Sequence, residues 1–290
     1  MNGIRRAYAV DALGQIHYAE AGVGAPLLLI GETPRSHRFF EPLLPLLAPH
    51  FRAIAVDLPG LGNSHALPQP MSMHALAACM AEFLDALGIG RAHVFGMHTG
   101  NKVAAALAAD WPERVDRLVL AGQTHSLFPE TEKRNAALAP SFARYRAAEG
   151  ESAEGAALRE WLRTKLTLDA TWWPDTLLTG RGNASAVASA EAKSIDFLLG
   201  WRSVVAIYHA VFAQDLAGTV SRIAAKSLVL EFTTPEERHY GPQGERLAAL
   251  MQHARAQAIP VTHLAAMEEQ ASEIAAATLG FLTKETLHAE

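Results

Sequence analysis

The pentapeptide Gly96-Met97-His98-Thr99-Gly100 carries the sharpest chemistry in this 290-residue chain. It sets an imidazole between two glycines, directly after an apolar strand pattern and directly before a helical one. Glycines so placed let a strand and a helix pack closely around a tight turn, which forces an unusual backbone on the residue between them. Histidine is enriched among the non-glycine residues that accept positive φ. An imidazole against a helix N-terminus meets the positive end of the helix dipole, which disfavours the imidazolium. His98 is therefore expected to be neutral near pH 7, available as base, nucleophile or hydrogen-bond partner. The Thr99 N–H is oriented by the turn itself, whatever side chain occupies position 98. Cys79, the only cysteine, lies in an Ala-rich helical pattern and reads as a small buried filler, not a nucleophile.

Such a turn needs elements to hold it. Pro26–Ile30, Phe51–Val56, Ala92–Gly96, Val115–Ala121, Lys226–Glu231 and Arg255–Val261 read as strands. Ser72–Leu87, Gly100–Ala109, Arg246–Gln252 and Glu268–Phe281 read as helices. In the first of these Leu76, Met80, Phe83, Leu84 and Leu87 recur at three-to-four spacing, and Gly88 and Gly90 end it. The alternation predicts an α/β fold with a doubly wound, mostly parallel sheet, whose ligands bind beyond the carboxyl ends of the strands. That rule puts His98 at the floor of a pocket and His125, just past Val115–Ala121, near its mouth. From about Ser126 to Gly218 the alternation stops, and a helical stretch bearing Trp161, Trp172, Trp173, Trp201 and Tyr208 follows. The expected division is a core of 1–125 and 219–290 with 126–218 as a helical cap or lid. Tyr208, His209 and the tryptophans read as packing residues, Arg35 and His37 as a solvated first turn. Asp57 reads as the residue that fixes the loop after its strand.

Composition narrows the classes. Hydrophobic residues make up 50% and charged ones 19%, against roughly 25% charged in ordinary soluble domains, which supports a large core over disorder. Net charge is −5 with the signs interspersed, so no basic stripe invites nucleic acid. No uninterrupted apolar run approaches the ~18 residues of a membrane span, and no membrane partner is expected. The start lacks an apolar segment after Arg5-Arg6, and a single cysteine suits a reducing compartment, so a cytoplasmic location is expected. The first glycine-bearing turn lacks a dinucleotide fingerprint, so no cofactor is expected. The expected partner is a small-molecule substrate or ligand, with a homodimer left open.

The bend at His98 resembles the nucleophile elbow, G-x-S-x-G, of the α/β-hydrolase fold family. Asp57-Leu58-Pro59-Gly60-Leu61-Gly62-Asn63-Ser64 resembles that family's D-x-P-G-x-G-x-S segment, and the order of elements agrees over most of the chain. The resemblance implies an eight-stranded sheet with a helical cap inserted after the sixth strand. It also exposes departures. His98 stands in place of the nucleophilic serine, so this is a divergent member with a G-x-H-x-G elbow. The oxyanion segment, usually beginning His-Gly, is Gly31-Glu32-Thr33-Pro34. The position of the family's acid falls near Thr233-Thr234-Pro235, with Glu231, Glu236 and Glu237 the neighbouring carboxylates. The position of its base falls on Leu264, or on His263 if the loop is one residue shorter. The resemblance implies oxyanion donors at the Thr99 and Thr33 N–H groups. A carboxylate at Glu32 would repel an oxyanion unless protonated or paired with His98.

Three readings follow. The first is a hydrolase acting by acyl/ester-type chemistry or a related elimination on a small, largely apolar substrate. Its candidate catalytic residues are His98, His263 and Glu32, and its candidate binding residues are Thr99, Thr33 and His125. The second is a catalytically silent ligand-binding protein. The third is a divalent-metal site of His98, His125, His263 and Glu32, whose spacing matches no dedicated metal signature.

Overall fold

The computed structural model describes residues 3–122, 152, 155, 184–232, 243–260, 267 and 270–283. Its eight strands are β1 (Arg5–Val10), β2 (Gln15–Ala21), β3 (Pro26–Ile30), β4 (Arg52–Val56), β5 (Ala92–Met97), β6 (Val115–Ala121), β7 (Lys226–Phe232) and β8 (Ala254–Ile259). They form one sheet in the order β1-β2-β4-β3-β5-β6-β7-β8. Strand β2 pairs antiparallel with β1 and β4, and the other five pairings are parallel.

The mostly parallel sheet matches the alternation, but β1 and β2 leave no apolar signature. Strand β1 is an edge strand whose single buried residue is Ala9. Strand β2 is buried after its first residue, yet it carries His17 and Glu20 inward. Each is held by charge: His17 by Asp57, and Glu20 by Arg5 and Arg52.

Inner strands are buried on both faces with a period of two. Leu28 and Ile30 of β3 point to one side, with Val94, Leu118 and helices α2 (Met73–Ala86) and α3 (Thr99–Asp110). Leu27 and Leu29 point to the other, with Phe95, Val119, the short α1 (Leu44–Leu47) and a C-terminal helix, Ala271–Leu282. Ser72 caps α2 by accepting from the Ala75 N–H at 2.9 Å. Cys79 is buried in that helix, and burial raises its thiol pKa to about 11, so it is an inert filler as expected.

The described part of segment 126–218 is dominated by α4 (Ala184–Ala213), followed by α5 (Leu216–Val220). Helix α4 lies against the loops at the carboxyl end of the sheet. Ser203 Oγ donates to the Gly60 carbonyl at 2.7 Å. A Cβ on Gly200 would come within 2.8 Å of Pro34 Cβ, so the helix rests on that loop. Ile207, Ala210 and Val211 then join the apolar core. Trp201 is buried and Tyr208 packs near Phe212, while His209 is exposed. Trp161, Trp172 and Trp173 lie outside the described residues. The expectation that no run approaches span length needs correcting. Ala192–Ala213 is long and apolar enough, by length and composition, to cross a membrane. Lys193, Asp196 and Arg202 interrupt the apolar run, and its inward face packs on the core.

The junction of β5 and α3 is the tightest point. A Cβ at Gly100 would overlap the Ile30 carbonyl, and one at Gly96 would sit 2.7 Å from Ala104 Cβ. Gly100→Ala is therefore expected to cost about 3 kcal/mol or more, or to prevent folding. Gly90→Ala, with nothing within 4 Å of the added carbon, should change stability by no more than about 0.5 kcal/mol. Urea denaturation followed by circular dichroism compares the two.

Candidate functional site

His98 is the only non-glycine residue at positive φ among the described residues, with φ 49 and ψ −110. The surrounding structure over-determines this strained backbone. The His98 N–H donates to the Ala121 carbonyl at 3.1 Å. Asn101, in the first turn of α3, donates its side-chain amide to the Ala121 and Gly122 carbonyls at 2.9 and 3.0 Å. The imidazole lies flat on Gly122, where a Cβ would come 2.7 Å from its Cε1. Glycine at 122, itself at φ 63, is thus the seat of the ring. The His98 side chain is 17% exposed. Burial, and after it the Lys102 ammonium one turn along α3, push its pKa down to about 4. His98 is thereby held neutral near pH 7, by burial and Lys102 where the sequence pointed to the helix dipole.

Glu32 faces it. One carboxylate oxygen lies 3.6 Å from His98 Nε2, and the other 3.9 Å from Arg35 Nη1. The first distance exceeds a hydrogen bond, so the contact is electrostatic in the unliganded protein; catalytic pairs often tighten only around substrate. Arg35 in turn donates from Nε to Asp196 on α4 at 3.1 Å, and its guanidinium lies over the Phe39 ring. All three charged residues are buried. Thr33, next to Glu32, is buried with no hydrogen-bond partner for its hydroxyl among the described residues, and Thr99 is buried at the head of α3. Its N–H belongs to the first helical turn, which has no intrahelical acceptor.

Asp57 organises the loops beside this group. It accepts from the His37 N–H at 2.5 Å, from the Asn63 N–H at 3.0 Å, and pairs with the rings of His17 and His37 at 2.9 Å each. Burial alone would raise its pKa, but the His17 and His37 hydrogen bonds overcome that and hold the carboxyl well below the usual range. Arg6 Nε donates to His37 Nε2 at 3.1 Å, which leaves the ring proton on Nδ1, facing Asp57. The expectation that Asp57 fixes its loop stands. That Arg35 and His37 form a solvated turn does not: both are buried. Their partners, Asp196 and Asp57, come from distant parts of the chain and leave no trace in the local pattern.

The structure brings His98, Glu32, Thr33 and Thr99 to the carboxyl end of β3 and β5. His125 and His263 lie outside the described residues, as do 233–237. Glu231 accepts from the Gln243 N–H at 2.5 Å and so braces the chain ahead of the helix Gly244–Ala249, α6 here, with Ala271–Leu282 as α7. Of the four residues in the metal reading, His98 and Glu32 are described and His125 and His263 are not. His17, His37 and Asp57 also fall within metal-ligating distance of one another. Their facing atoms are hydrogen-bonded to each other, so they form a closed structural network. The sequence misplaces Arg35 in solvent and does not point to Asp196, Asn101 or Gly122. A glycine directly after strand β6 was the one available signal.

Three comparisons bear on this arrangement. Residues 25–174 match the profile described as the alpha/beta hydrolase fold. A 2-hydroxy-6-oxononadienedioate/2-hydroxy-6-oxononatrienedioate hydrolase of Burkholderia vietnamiensis is 39% identical over 114 residues, 37% of this chain and 40% of that protein. A soluble epoxide hydrolase of a Corynebacterium species is 34% identical over 106 residues, 37% of each chain. The matched stretch thus spans well under half the length of these curated relatives. Over nearly the whole chain, a crystal structure of a hydrolase from Pseudomonas aeruginosa superposes with a TM-score of 0.76 at 25% identity, covering 96% of this chain and 98% of that one.

The depressed pKa of His98 is also a statement about stability. Its folded value, about 4, lies below the 6.5 of a free imidazole. The unfolded chain therefore binds the extra proton between those values, and the folded state loses stability as pH falls from about 6.5 to 4. Wild type should lose about 2 kcal/mol more than His98→Asn between pH 7 and 4.5. Asparagine also accepts positive φ, so urea denaturation of the pair at both pH values isolates the titration.

Proposed function

The chain belongs to the α/β hydrolase fold family, whose profile covers more than half of it, and on that premise we propose that it is a hydrolase of small, largely apolar acyl esters in which His98 does the work of the missing serine. The reading rests on one observation: a neutral, partly buried imidazole occupies the tip of the elbow with the Glu32 carboxylate 3.6 Å from its Nε2. In this mechanism His98 takes a proton from water as the water oxygen attacks the acyl carbon. The oxyanion that forms meets the Thr99 and Thr33 N–H groups. Its collapse breaks the bond to the leaving oxygen, which receives the proton back from the imidazolium, and Glu32 stabilises that cation while it exists. The Glu32 charge, which would otherwise oppose an oxyanion, is flanked by Arg35 on one side and His98 on the other. Segment 126–218, with α4 lying on the Pro34 and Gly60 loops, acts as the cap that encloses the substrate.

Relatives are named as hydrolases of a dienedioate or trienedioate and of epoxides, so the substrate class of this chain is to be found by assay. Short-chain p-nitrophenyl esters provide the direct assay. His98→Ala should lower kcat/KM at least ~100-fold, and Glu32→Gln about tenfold. The acid limb of the wild-type profile should fall near pH 4, the value set by His98, and not near 6.5. His98→Ser alone should not make a good esterase, because Glu32 still faces the elbow. An unchanged rate in His98→Ala sinks the mechanism. Absence of turnover across esters, lactones and epoxides, with tight binding of a small ligand, supports the silent-binder alternative instead.

A further inference from the structure

Arg35 stands between two carboxylates on different parts of the molecule. Its Nε donates to Asp196 on α4 at 3.1 Å, while its Nη1 remains 3.9 Å from Glu32 in the loop after β3. Glu32 reaches the other way, to His98 Nε2 at 3.6 Å. The four side chains form a file running from the long helix to the elbow, and Glu32, Arg35 and Asp196 are each at least nine-tenths buried.

We propose that Asp196 is a positioning residue that couples the seating of α4 on the core to the reactivity of His98, by drawing Arg35 off Glu32. The inference rests on the proposed role of His98 and adds a residue to it. A guanidinium pairs with a carboxylate most strongly through two parallel N–H bonds. With Asp196 in place, Arg35 is held at ion-pair distance from Glu32 without closing that fork, and the carboxylate stays turned to the imidazole. Without Asp196 the fork closes on Glu32, and the imidazolium of the transition state loses its anion. Asp196 lies four residues before Gly200 and seven before Ser203, so one face of α4 makes all these contacts with the loops. The helix must therefore be seated on Pro34 for Asp196 to reach Arg35. A helix lifted from these loops would take Asp196 off Arg35, and His98 would lose the support of Glu32.

Among the described residues, Glu32 faces His98 from the loop after β3 and Lys102 acts on it from α3. Arg35 stands behind Glu32. Asp196 and the buried Lys193, one turn earlier on α4, stand behind Arg35, and Arg38 lies 3.9 Å from Asp196.

The test reads His98 directly, by NMR titration of its imidazole in the intact protein, alongside kcat and KM for an activated ester. Asp196→Asn should lower the His98 pKa and reduce kcat about tenfold with KM within threefold. The double variant Asp196→Asn/Arg35→Gln, which removes one charge of each sign, should raise the His98 pKa above wild type and restore kcat. Arg38→Gln touches Asp196 without being paired to Glu32 and should leave the titration within 0.2 pH units of wild type. A purely structural salt bridge predicts that the double variant is worse than the single one and that the His98 titration does not move. Either result overturns the proposal. If Asp196→Asn does not fold, the double variant and Arg38→Gln decide alone: a rise in the former with none in the latter supports the coupling, and any other pattern ends it. The titration needs no turnover, so it fails separately from the esterase reading.

Discussion

At the junction of β5 and α3 two backbones approach so closely that neither Gly96 nor Gly100 has room for a methyl group. That contact imposes φ 49 on His98 and aims both its side chain and the following N–H at the carboxyl end of the sheet. The parallel register of β3, β5 and β6 then brings Glu32 to one side of the ring and Gly122 beneath it. Asn101 ties the bend to the end of β6 with its amide, so the elbow and the seat of the ring move as one piece. The chemistry of position 98 is borrowed from this geometry. A hydroxyl and an imidazole differ in what they do with a proton, but the turn presents either.

Charge burial is the second constraint. Desolvating an ionised side chain is expensive unless a partner compensates, and here the partners lie from 15 to 161 residues apart in the chain. Asp57 is matched by His17 and His37, Glu20 by Arg5 and Arg52, and Asp196 by Arg35. Each match is a statement about position. Burying Asp196 over any other part of the core would leave it unpaired, so the pair fixes where α4 lies in a way that apolar contact alone would not. The same burial keeps His98 uncharged, which suits a base or a nucleophile and makes the folded state sensitive to mild acid.

The inner strands and α2 and α3 were legible in the sequence because a strand covered on both faces is mostly apolar, as Pro26–Ile30 is throughout and Ala92–Met97 is apart from His93. Strands β1 and β2 were not, since an edge strand needs few apolar residues and β2 buries His17 and Glu20. His98 was legible because two glycines bracket it, and Glu32 because it follows β3. Arg35, His37 and Asp196 were misread or missed for a common reason. A charge signals solvent until its counter-charge is located, and that lies 20 residues away for His37 and 161 for Arg35.

Helix α4 has one further consequence. Its last 22 residues meet the length and composition of a membrane span, though in the folded chain one side is packed on the core. Before the core has closed around a nascent chain no such packing exists, and the insertion machinery reads only composition. Arg202, exposed near the middle of that stretch, carries an insertion penalty of about 3 kcal/mol. A residue on the outer side of the finished helix, together with Lys193 and Asp196, can thus weigh on the fate of the segment during biosynthesis, by keeping it in water until the sheet is ready to receive it.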